Sequence, residues 1–111
     1  MECDFDHLLE MFALMDRDGL DTTQPLKWGF FFMDPAEEPL RCVLQELEGH
    51  NYQLERLELA DDGKTWVLAV SKCEVLAADK LHRRNQAFNE LAEYCGAEFY
   101  DGWDVGPIDD S

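Results

Sequence analysis

Positive charge is what this chain most lacks: nine Lys and Arg stand against 25 Asp and Glu, a formal charge of −16 over 111 residues. A chain whose charge is acidic along its whole length gains little from releasing the counterions of a phosphate backbone, so direct binding to nucleic acid is not expected. Long apolar runs are missing too. No stretch approaches the ~18 residues needed to cross a bilayer, and "MECDFDHLLEMF" carries acids where a signal peptide needs Lys or Arg. The expectation is a soluble cytoplasmic protein with no membrane partner. Cysteines are few and scattered. Cys3, Cys42, Cys73 and Cys95 form no Cys-x-x-Cys pair and have no His at ligand spacing, so they read as reduced, small apolar fillers, and no metal is expected. The chain also has no Gly-rich phosphate loop, and His7, His50 and His82 fall in separate elements without an evident nucleophile. No cofactor is expected and the chain does not read as an enzyme.

What is present is ample apolar material, 46% of residues with 12% aromatic. That places the chain among globular proteins despite its charge, as one domain spanning residues 1–111. Phe5, Leu8, Leu9, Phe12 and Met15 recur at helical spacing behind Asp4 and Asp6, predicting a helix over residues 4–16. "DRDGLDTTQP" breaks it. Its Asp16, Asp18 and Asp21 lack the spacing and the distal Glu of a calcium loop. "LKWGFFFM" is a strand, with Leu26, Trp28, Phe30 and Phe32 on one face and Phe31 and Met33 on the other. One face must be core, and the pattern does not choose between them.

In "DPAEEPLRCVLQELEG", Asp34, Pro35 and Glu37 fit a capping box, while Pro39 allows a later start; Leu40, Val43, Leu44 and Leu47 form the buried stripe and Gly49 the stop. "YQLERLEL" changes phase between Glu55 and Arg56, which predicts a bulge. The turn "ADDGK" joins it to "TWVLAVS" in an antiparallel hairpin. A helix over residues 77–94 follows, closed by Gly96, with Asn85 on its apolar stripe held by a structural hydrogen bond; "AEFYDGW" is the last strand. The basic cluster Lys80, His82, Arg83 and Arg84 reads as a solvated helix face. Strand, helix, strand, strand, helix, strand gives a ferredoxin-like α+β sandwich, a four-stranded antiparallel sheet with two helices on one face. The extra N-terminal helix is expected to cover part of the other face with Phe5, Leu8 and Phe12, or to leave it to a partner.

Near the C-terminus, "EFYDGWDVGP" concentrates aromatics, acids and glycines. With "KWGFFF", "LEGHNYQ", "TWVLAV" and "NQAFNELAEYCGA", it resembles the family of the regulator of ribonuclease E activity B, the ribonuclease E inhibitor B family. The resemblance covers residues 26–107, and Tyr-Asp-Gly-Trp is its specific element. It implies a ferredoxin-like, non-catalytic protein that binds the scaffold region of an RNA-degrading endoribonuclease and lowers or redirects its processing of RNA. An acidic surface suits an Arg-rich scaffold. Tyr100, Asp101, Trp103 and Asp104 are the candidate partner-binding residues. The alternative is an immunity or antitoxin protein that neutralises a cationic toxin; a third reading is a self-associating module.

Overall fold

The computed structural model describes residues 5–108. Asp4, at the start of the expected first helix, and Cys3 before it lie outside the described residues, as does the side chain of Phe99. In chain order the elements are α1 (Phe5–Arg17), β1 (Leu26–Asp34), α2 (Glu37–Glu48), β2 (Gln53–Leu59), β3 (Trp66–Glu74), α3 (Ala78–Cys95) and β4 (Phe99–Gly106). The strands form one antiparallel sheet in the order β2-β3-β1-β4. The fold is α+β, three helices with a four-stranded open sheet.

Alternation in β1 decides which face is core. Trp28, Phe30 and Phe32 are fully buried, while Lys27, Gly29, Phe31 and Met33 are half-buried on the opposite face. Burying Phe30 and Phe32 contributes about 1.5–3 kcal/mol apiece relative to exposure. Helix α2 lays Leu40, Val43, Leu44 and Leu47 on this face, and α3 adds Leu81, Phe88 and Ala92. The Phe88 ring meets Phe30 edge-on, with centroids 5.0 Å apart.

Helix α1 joins the same side. Leu8 is buried, and the Phe12 ring stacks on Trp28 at 5.9 Å. Of the two alternatives for the opposite face, partial cover by α1 is therefore corrected, and the face is left open. At that end of the core Phe12, Trp28 and Trp103 pack on one another.

Two local expectations also change. The capping box at α2 does not form: the helix starts after Ala36, with no side-chain cap. Asp34 has a different task. Buried at the end of β1, its carboxylate accepts the Ala36 N–H at 2.7 Å and the Glu98 N–H at 2.8 Å, tying the start of α2 to the approach of β4. Gly49 ends α2 with an ordinary φ of −65°, and Asn51 takes the left-handed turn at φ 70°. Asn is among the few non-glycine residues that tolerate it.

The cysteine reading is corrected as well. Cys42 on α2 and Cys95 at the end of α3 are joined in a disulfide, with Cα atoms 5.7 Å apart, and Cys73 is free and exposed rather than a core filler.

The expected bulge in β2 is present, with register shifting between Leu54 and Arg56 so that Glu55 is the extra residue. Asp62 holds the following hairpin turn by accepting the Lys64 and Thr65 amides and the Thr65 hydroxyl. Among the described residues no helix is long and apolar enough to cross a membrane.

Candidate functional site

The terminal motif owes its shape to a second bulge. Tyr100 pairs with Phe32 and Trp103 with Phe30, although residues three apart on a regular strand point to opposite faces. Asp101 is the inserted residue. Gly102 follows at φ 130°, a conformation closed to most side chains, and lies opposite Phe31. Tyr-Asp-Gly-Trp thus turns both aromatics into the core and throws Asp101 outward.

Tyr100 is fully buried, among Phe32 at 5.1 Å and Phe88 at 5.5 Å. Its hydroxyl donates to Asn85 Oδ1 at 2.6 Å, so the amide on the apolar stripe of α3 finds its partner on β4. Replacing Tyr100 with Phe leaves that amide oxygen buried without its donor. The expected loss of stability is about 1–3 kcal/mol by chemical denaturation.

Trp103 is half-buried, packed on Trp28 at 5.7 Å beneath Phe12. Asp101 and Asp104 are exposed, and the register sets Asp104 beside Gly29 on the face away from the helices. A Cβ at residue 29 would collide with Asp104 Oδ1; glycine makes room for the carboxylate over the strand. Of the four candidate residues, the structure brings Asp104 to the open face and Asp101 to the bulge next to it. It directs Tyr100 and Trp103 inward.

That open face carries a groove of about 610 Å³, lined among others by Lys27, Gly29, Phe31, Glu55, Ser71 and Asp104. Phe31 stands out because its neighbours in register on both sides, Gly102 and Ala69, have little or no side chain. Across the groove, Glu55 accepts from the Ser71 hydroxyl at 2.5 Å and pairs with Lys27 Nζ at 2.9 Å. The Ser71 hydrogen bond first, and Lys27 second, hold the Glu55 carboxyl below its ordinary range. The face therefore offers one aromatic ring in a small-residue trough edged by two carboxylates, Glu55 and Asp104, and two cations, Lys27 and Arg56. This arrangement suits a protein segment bearing apolar and charged side chains.

The sequence did not reveal this groove, because its walls come from all four strands. The signal that existed was the three-residue spacing of Tyr100 and Trp103, which makes sense only with a bulge. Among the described residues no group of three or more His, Cys, Asp or Glu is placed to hold a metal ion.

Comparison with known proteins gives one family. The family model described as "Regulator of ribonuclease activity B" matches residues 6–105, a span that takes in nearly all of α1 and of the sheet. No curated protein matches the chain.

Proposed function

The chain belongs to the family of the regulator of ribonuclease activity B, and on that premise we propose that it binds the basic scaffold region of an RNA-degrading endoribonuclease and restrains its activity. The family is one of ribonuclease regulators, which implies a protein partner. The observation that carries the proposal is the match itself, which spans residues 6–105. The acidic charge of −16 supports a cationic partner, since a field of that size speeds encounter with an Arg-rich segment.

In this proposal the protein acts in the cytoplasm as a single domain of ferredoxin-like type with α1 as an addition. The strand order β2-β3-β1-β4 and the two strand–helix–strand connections support that fold reading. Binding uses the open sheet face. Asp104 and Asp101 meet cationic side chains, Phe31 supplies the apolar anchor, and Tyr100 and Trp103 hold the bulge from beneath. The family match does not favour an immunity role.

A pull-down from native cytosol at moderate salt tests this reading. The unmodified protein should recover the endoribonuclease, and a folded Asp101→Ala/Asp104→Ala variant should recover markedly less. Equal recovery by both would move the interface elsewhere, and no recovery by either would remove the scaffold from the proposal.

A further inference from the structure

Positive charge is scarce in this chain, yet a large part of it converges on one place. A groove of about 430 Å³ between α3, β3 and the turn before β2 is lined by His50, Tyr52, Lys72, Lys80, Arg83 and Arg84, with Ala87 and Phe88 completing it. No Asp or Glu is among its lining residues, although the chain has 25. In sequence only the α3 residues are visible, as a helix face that reads as solvated. The fold adds Lys72 from β3 and His50 from the turn.

Among the described residues, one of the four Lys and Arg in the groove is in an ion pair, against three of the five outside it. Lys27, Arg41 and Arg56 each pair with a carboxylate elsewhere. Within the groove, Arg84 pairs with Glu74 and lies 5.8 Å from the Tyr52 ring, so it is fixed in place. Lys72 donates to the His50 carbonyl at 3.3 Å and sits 5.0 Å over the same ring. Among the described residues, Lys72, Lys80 and Arg83 meet no carboxylate. Three donor side chains are thus gathered without a counter-charge in a strongly acidic protein, around one buried phenol. Burial pushes the Tyr52 hydroxyl up to about 12, so it stays a neutral hydrogen-bonding group.

We propose that this groove is a binding site for a compact phosphoryl anion carrying two or more negative charges. Lys and Arg donors from separate elements match the several acceptor oxygens of such a group. Two features limit its size and shape. The Tyr52 ring is buried and already approached by Lys72 and Arg84, so little of it is left for a nucleobase to stack on. Beyond the groove the chain is acidic, and charges separated by more than a Debye length of about 8 Å are screened at physiological salt. A small anion stays within the positive patch, whereas an extended polyanion such as RNA runs onto the negative surface. The inference stands on the groove alone and does not depend on the endoribonuclease reading.

The test is calorimetric titration of the full chain with inorganic triphosphate at physiological ionic strength. Lys80→Ala/Arg83→Ala is the site variant and Arg41→Ala the control. Both altered positions in the site variant are exposed, so folding should survive and is verified by circular dichroism. The expected result is saturable binding, weakened about tenfold or more in the site variant and unchanged in the control. A single-stranded RNA oligonucleotide should bind no more tightly than triphosphate. Three results would each overturn the proposal: no saturation at millimolar triphosphate, equal affinity in the site variant, or tighter binding of the RNA.

Discussion

Replacing both Cys42 and Cys95 with Ser should destabilise the oxidised protein by about 4 kcal/mol, the value the chain-entropy relation gives for a loop of this length. The two residues are 53 apart in sequence, and the loop between them contains β2, β3 and most of α3. Linking them removes many open conformations from the unfolded chain. The Cα separation of 5.7 Å is the usual one for a disulfide, so the bond requires no movement of α2 against α3. For a domain of about 100 residues the corresponding fall in Tm is on the order of 20 °C. Guanidinium denaturation of the oxidised protein, the reduced protein and the Cys42→Ser/Cys95→Ser variant checks this. The last two should coincide, because Cys73 is exposed and takes no part. If all three coincide, the linkage contributes nothing. For a chain proposed to act in the cytoplasm, where thiols are normally kept reduced, the stability of the reduced form is the relevant one, and the aromatic core must supply it.

Combining Phe31→Ala with Asp104→Lys should weaken binding to the endoribonuclease on the order of a hundredfold while costing the fold little. Both side chains lie on the face that no helix covers. Phe31 is half-buried between Gly102 and Ala69, and Asp104 is exposed. Truncating the ring removes the apolar anchor, and the charge reversal sets an ammonium against a cationic partner. The comparable core change, Trp28→Ala, would instead remove a fully buried ring on which Phe12 and Trp103 pack, and would damage folding itself. The open-face pair separates binding from stability. Surface plasmon resonance with the purified enzyme measures it, and the native complex should weaken as salt is raised.

Much of this architecture was legible because the patterns are local. Alternation marked β1 and the hairpin, the phase slip at Glu55 marked the β2 bulge, and Gly96 marked the end of α3, where it sits left-handed at φ 76°. What the sequence missed depends on packing. Helix α1 is amphipathic, but nothing local says which face of the sheet its Phe12 will reach. Asp34 looked like a cap because Pro35 and Glu37 follow it; the competing claim came from the Glu98 amide, 64 residues away. Cys42 and Cys95 are paired by the contact of α2 with α3, which no cysteine spacing announces. At the candidate site the sequence located the motif, and its four residues turned out to divide, two into the core and two outward.

The most direct measurement is the rate of RNA cleavage by the purified endoribonuclease as this protein is added, compared with the Phe31→Ala/Asp104→Lys variant. Saturable inhibition by the native protein, and little by the folded variant at the same concentration, is the result predicted for a regulator that works through its open sheet face. Cleavage unchanged by an excess of native protein would contradict regulation of this enzyme, and equal inhibition by both proteins would contradict the open face as the site.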